Sequence, residues 1–327
     1  MPRPRKLLVD LGTTPYYHVV SRCVRRAFLC GTDRVSGNSY EHRRAWLQDR
    51  VRVLSTLFSV EICAFAIMSN HYHLVVKLNP EESEHWTDDD VLNRWTALFK
   101  GTTLIQRYQQ DEPVTAAEAE TLKATINVYR QRLTSLSWFM KCLNEPIARR
   151  ANQEDKCTGH FWESRFLSQA LCSDRALLSA MVYVDLNPIR AGIAKTPEHS
   201  EFTSVRARIN KDEEGKQLRQ AVAELLKSGE LNHLTLAIRP LAAFANEKSA
   251  TLGGGPRQTT IPITWPDYLQ LVDSTGRIGV HGKRGRIPDS LSPVLERIGL
   301  SNNEWLDVST RFERVYRNGD VRLAKAS

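Results

Sequence analysis

The sequence predicts an α+β fold, an antiparallel sheet with helices on one side, from three local patterns. Tyr16–Arg22 (YYHVVSR) is rich in aromatic and β-branched residues and reads as a strand. From about Tyr40 to Phe58, Trp46, Leu47, Val51, Leu54 and Leu57 recur at three- and four-residue spacings, the mark of an amphipathic helix. VEICAFAIM and HYHLVVKL then form two apolar runs joined at Ser69-Asn70, an antiparallel hairpin.

The later elements follow in order. Beyond Asn79-Pro80 the composition turns acidic and then helical, which marks an insertion over about 81–135. Its Asp88-Asp89-Asp90 run follows Thr87 and suits a helix N-terminus better than a metal site. A helical pattern from Leu136 to Asn152 carries Arg149-Arg150; GHFWESRF and LSQALC read as a turn and a strand. A helix capped at Ser173 runs until Pro188 stops it. These segments form a domain over 1–210, followed by a helix and glycine-rich linker over 211–257. A small separate basic module over 258–327, containing Arg277, Lys283, Arg284 and Arg286, is expected to aid capture of a phosphate-bearing partner.

Composition narrows the function classes. Lys and Arg number 45 against 37 Asp and Glu, a net charge of +8 over 327 residues, and such an excess favours phosphate-bearing partners. Hydrophobic residues at 41% and charged residues at 25% are ordinary for a globular protein, which sets aside disordered and collagen-like classes. The six cysteines include no C-x-x-C pair, so neither a zinc ribbon nor a disulfide framework is expected. No signal peptide or membrane span is expected, and a cytoplasmic, nucleoid-associated setting fits.

Two groups of residues could carry chemistry. In His71-Tyr72-His73 the histidines project to one face of a strand and can converge on one cation, while Tyr72 points away. On the helix from Asp174, residues Ala176, Ala180, Tyr183 and Asn187 share a face, and Asn187 lies about 6 Å along the axis beyond Tyr183. Two ordinary strand histidines and a core tyrosine are the plain alternatives at this point.

Taken together, YYHVVSR, AIMSNHYHLVV, GHFWESRF and YVDLNPIRAG resemble the REP-associated tyrosine transposases, a branch of the single-tyrosine HUH transposases, over roughly residues 1 to 80 and 135 to 210. The resemblance implies an HUH-type, ferredoxin-like sheet and a DNA strand transferase. His71 and His73 would hold Mg²⁺ or Mn²⁺, and Tyr183 would form a 5′-phosphotyrosine on single-stranded or hairpin DNA. Asn187 matches the family's third metal ligand, with Asp185 as its rival; helix geometry favours Asn187, because Asp185 is turned well away from Tyr183. Tyr17 is the only serious substitute nucleophile. Arg22, Arg25, Arg26, Arg149, Arg150, Arg165 and Arg190 are candidate DNA contacts, and Trp162 is either a base platform or core. A binding protein without catalysis and a hydrolytic metallonuclease are the competing readings. Monomer and homodimer both remain open.

Overall fold

The computed structural model describes residues 9–24, 29–33, 37–245, 247 and 260–298. The chain runs β1 (Tyr16–Arg22), α1 (Arg43–Leu57), β2 (Val60–Ile67), β3 (His71–Leu78), then the helices of the insertion, α2 (Pro80–Glu84), α3 (Asp88–Leu98), α4 (Thr103–Gln109) and α5 (Ala116–Leu133). After these come α6 (Leu136–Glu154), β4 (Leu167–Ala170), α7 (Asp174–Asp185) and α8 (Asn187–Arg190). The described chain closes with α9 (Ser204–Ile209), α10 (Lys211–Lys227), α11 (Trp265–Arg277) and α12 (Val294–Arg297).

The strands form one antiparallel sheet in the order β2-β3-β1-β4. β1 and β2 are therefore parallel to each other across β3, linked by α1, and β3 and β4 are parallel across β1, linked through α6. That pair of split βαβ units is the ferredoxin-like arrangement. β3 is central and β2 lies at an edge, yet nearly every residue in both is buried. This explains their continuous apolar runs.

Helices cover both faces of the sheet rather than one. Tyr17, Val19, Tyr72, Leu74, Val76 and Leu78 pack into a core with Leu47 and Leu54 of α1 and Phe139 and Leu143 of α6. Val75 on the opposite face joins Ala64, Ala66, Ala176, Ala180 and Val184, so α7 lies there. A register shift between Ile62 and Ala64 turns Cys63 and Ala64 to that same side. Small side chains on both surfaces let α7 approach the sheet closely. The expectation of one-sided helices failed because a strand buried on both faces has no alternation from which sidedness could be read.

The insertion is helical, and its acidic run is a cap. The Thr87 side chain accepts from the Asp90 N–H while the Asp90 carboxylate accepts from the Thr87 N–H, a reciprocal capping box. α6 passes through Pro146, which cannot donate to the Cys142 carbonyl one turn back; Arg50 Nε donates to that oxygen instead, at 3.1 Å.

The expected boundary at residue 258 is not a break in packing. Phe244, Ile261, Ile263, Tyr268, Leu271, Val272 and Ile287 share a core with α7. Phe244 and Ile261 form a parallel β-bridge. Residues 260–298 are thus docked on the tyrosine-bearing helix instead of forming a separate module. The glycine-rich linker and the module's residues beyond 298 lie outside the described residues.

Candidate active site

Strand pairing brings together histidines that are far apart in sequence. β1 pairs with β3 so that Val20 lies opposite His73 and His18 opposite Val75. His18 and His73 then share a face two positions apart, and their rings stack at 5.2 Å between centroids, 11° from parallel. His18 Nε2 lies 3.0 Å from His73 Nδ1. His71 and His73 meet edge to face at 4.8 Å, as expected for i and i+2 on one strand.

α7 delivers the other half of the site. Ser173 caps it, its side chain accepting from the Ala176 N–H at 3.1 Å, and Asp174 adds a negative charge to the first turn. The helix ends at Asp185, and Pro188 does not simply terminate it: Pro188 sits in the first turn of the short helix α8, where a missing N–H costs nothing. The Tyr183 ring stands edge-on to His73 at 5.6 Å and to His18 at 6.1 Å. The Asn187 amide nitrogen is 3.3 Å from His73 Nε2.

These contacts fit one set of tautomers. Asn187 Nδ2 donates to His73 Nε2, which places the His73 proton on Nδ1, where it is donated to His18 Nε2. His71 donates from Nδ1 to Asn70 Oδ1 at 2.6 Å, leaving its Nε2 as a lone pair. Burial pushes the His71 imidazole down to about 4, with Arg22 and Lys283 adding to the effect. Burial alone pushes His18 down to about 4 and, with the neighbouring His18, His71, Arg22 and Lys283, holds His73 well below the usual histidine value. All three rings are neutral at neutral pH, the state that metal ligation requires.

A divalent ion on His71 Nε2, His73 Nε2 and the Asn187 amide oxygen would require the Asn187 amide to turn its oxygen toward the rings in place of the Nδ2 that donates to His73, with the other ring nitrogens of both histidines held by Asn70 and His18. Among the described residues no three His, Cys, Asp or Glu side chains are placed to hold a metal. Asp185 is turned away, fully buried on the far side of α7. Its carboxylate accepts from Ser204 Oγ at 2.6 Å, the Val205 N–H at 3.0 Å and the Tyr268 hydroxyl at 2.6 Å.

Tyr17 is directed into the opposite core with no exposed surface, and its hydroxyl donates to the Asp10 carbonyl at 2.9 Å. It cannot meet a strand lying over the histidines. His18 had not been singled out from the sequence. Its signal was the single histidine in YYHVVSR, which acquires meaning only once β1 is known to pair with β3.

The candidate DNA contacts divide. Arg22 is exposed at the end of β1, directly opposite His71, and its carbonyl accepts from the Glu163 N–H at 2.9 Å. Arg165 is exposed in the same loop that leads to β4. Arg149 and Arg150 belong to α6, on the sheet face away from the histidines. Arg149 pairs with Glu145, while Arg150 lies 3.9 Å from the Trp46 ring centre and pairs with Glu230 at 3.1 Å. Arg190 is buried and structural: its two terminal nitrogens donate to the carbonyls of Ile278 at 2.5 Å and Thr275 at 2.7 Å. Trp162 packs edge-on against Tyr72 and Phe161 and donates to the Asn144 carbonyl at 2.9 Å, the core alternative. Arg25 and Arg26 lie outside the described residues.

No family model matches the chain. No curated protein matches it at a significant level. Among solved structures, one described as a REP-associated tyrosine transposase bound to a REP hairpin is similar at 12% identity, over 64% of this chain and 87% of that chain, with a TM-score of 0.36.

Proposed function

We propose that the protein is a metal-assisted DNA strand transferase with Tyr183 as nucleophile, acting on single-stranded or hairpin DNA. The observation that carries this reading is the meeting of Tyr183, His73 and Asn187 at one place on the sheet. A divalent ion bound there supplies positive charge to the non-bridging phosphate oxygens as negative charge builds on them. Imidazole donors suit Mn²⁺ better than Mg²⁺.

Tyr183 Oη gives up its proton to solvent and bonds to phosphorus; the bond from phosphorus to the 3′ oxygen breaks, and that oxygen takes up a proton. The products are a 5′-phosphotyrosine and a free 3′-OH. A second 3′-OH attacking the phosphotyrosine reverses the sequence and joins two strands without ATP, because the ester retains the bond energy. Asn70 and His18 hold the two ligand rings in one tautomer throughout, and the β3–α7 contact holds the nucleophile against them.

The test uses the full chain with Mn²⁺ and labelled single-stranded and hairpin oligonucleotides, read on a denaturing gel. A covalent adduct is expected from the native protein and none from Tyr183→Phe, with oligonucleotide affinity kept within about twofold. Cleavage that persists in Tyr183→Phe would instead mean attack by water, and binding without adduct would mean a non-catalytic binder; either result overturns the proposal.

A further inference from the structure

The segment beyond residue 260 is clasped to the turn that carries Asn187. Gly276 lies so close to that turn that a Cβ there would come within 2.5 Å of Ile287 Cδ1 and 3.0 Å of Leu186 Cδ2. A Cβ at Gly285 would collide with the Ile189 carbonyl oxygen and crowd Gly192. The Arg284 N–H donates to the Arg190 carbonyl at 3.1 Å, and the Arg190 guanidinium returns two bonds to Thr275 and Ile278. Glycine is required at 285, where a Cβ would meet main chain that cannot move aside, whereas at 276 it would meet the side-chain ends of Ile287 and Leu186. Asn187, three residues before Arg190, in turn touches His73.

The basic residues on this segment are not equivalent. Arg277 is tied to Asp273 at 2.7 Å and to the carbonyls of Pro288 and Ser292. Arg286 is paired with Asp289 at 3.1 Å. Lys283 is exposed on the same loop, next to Arg284, whose N–H is bonded to the Arg190 carbonyl three residues beyond Asn187. Arg22 is exposed on β1 directly opposite His71, a basic side chain beside the histidines from a separate element.

We infer that the loop at 278–286 is a wall of the active site and that Lys283 grips a phosphate of the single strand as it lies beside His71 and Tyr183. This rests on the strand-transferase reading for the identity of the ligand. A point charge on a flexible stem suits such a role, since a strand must enter and leave. The segment expected to act only in remote capture then contributes directly to the site.

Oligonucleotide binding is measured in full-length Tyr183→Phe, so that no turnover occurs, across a range of salt concentrations. The parent is compared with Lys283→Ala, Lys283→Arg and Lys227→Ala, the last removing the same charge from a remote helix. Lys283→Ala should weaken binding about five- to tenfold at low salt and reduce the log–log salt slope by about 0.7, the loss of one phosphate contact on a single strand. Lys283→Arg should restore both values, and Lys227→Ala should change neither. An unchanged slope and affinity in Lys283→Ala, or an equal effect of Lys227→Ala, overturns the inference even where the native protein forms an adduct. Failure of adduct formation with the Lys283 effect intact would overturn the proposed chemistry and leave the phosphate site standing.

Discussion

At the scale of single residues, Asp185 and Asn187 show how a two-residue step on a helix separates a structural role from a candidate chemical one. Burial raises the Asp185 carboxyl above the usual aspartate value, while Ser204, Tyr268, Val205 and Arg208 pull it back. Its hydrogen bonds join the end of α7 to α9 and α11. Asp185→Asn keeps the shape but offers an NH₂ group to a site that already supplies three donors. The variant should lose about 2–4 kcal/mol of stability in urea unfolding, the scale for a buried polar group left unmatched. Its Mn²⁺ affinity per folded molecule should change little. Asn187→Ala should do the reverse, with Mn²⁺ affinity by calorimetry falling on the order of tenfold and stability changing by about 1 kcal/mol. A Mn²⁺ affinity that falls in Asp185→Asn but not in Asn187→Ala would reassign the third ligand. The turning of Asp185 away from Tyr183 was legible because helical spacing is local and the same in every helix. His18 was not, since its partner is 55 residues away and strand register is fixed only by the assembled sheet.

At the scale of elements, the hairpin, α1 and the Thr87 cap were readable from short stretches, because their signals lie within one turn or one strand pair. The course of α6 was readable as a helix despite Pro146, but what makes that proline tolerable was not. The Cys142 carbonyl it orphans is satisfied by Arg50, which stands 92 residues earlier in the chain. Arg50→Met should therefore cost more than the loss of its ion pair with Glu230, because that carbonyl becomes a buried acceptor with no donor. A destabilisation of about 2–4 kcal/mol is expected in chemical denaturation. Pro146→Ala on that background restores a main-chain N–H and should recover about 1 kcal/mol, while Pro146→Ala alone should gain less because Arg50 already occupies the oxygen. Equal effects of Pro146→Ala with and without Arg50 would refute the coupling.

At the scale of the whole molecule, a sheet buried on both faces needs two covers, and the second is assembled from pieces distant in sequence. α7 alone is too narrow, and residues 242–244, α11 and Ile287 complete the layer. A glycine-rich linker and a basic cluster suggested an independent module, because composition reports local solubility and chain freedom but not where a segment docks. Docking here depends on the close approach of Gly285 to the Ile189 carbonyl and on the buried Tyr268–Asp185 bond at 2.6 Å, neither of which has a periodic signature. Truncating the chain after residue 245 should therefore expose apolar side chains of α7, Phe244 and the β2–β3 face. At about 1.5–3 kcal/mol for each large apolar side chain uncovered, losing the partners of several is comparable to the 5–15 kcal/mol stability of an ordinary domain. The truncated protein should be largely unfolded or aggregated, and the intact one should melt in a single cooperative transition. Two resolved transitions in the intact chain, or a truncated protein that keeps its near-ultraviolet circular dichroism and binds Mn²⁺ as tightly as the intact one, would show instead that 260–298 folds apart from the site.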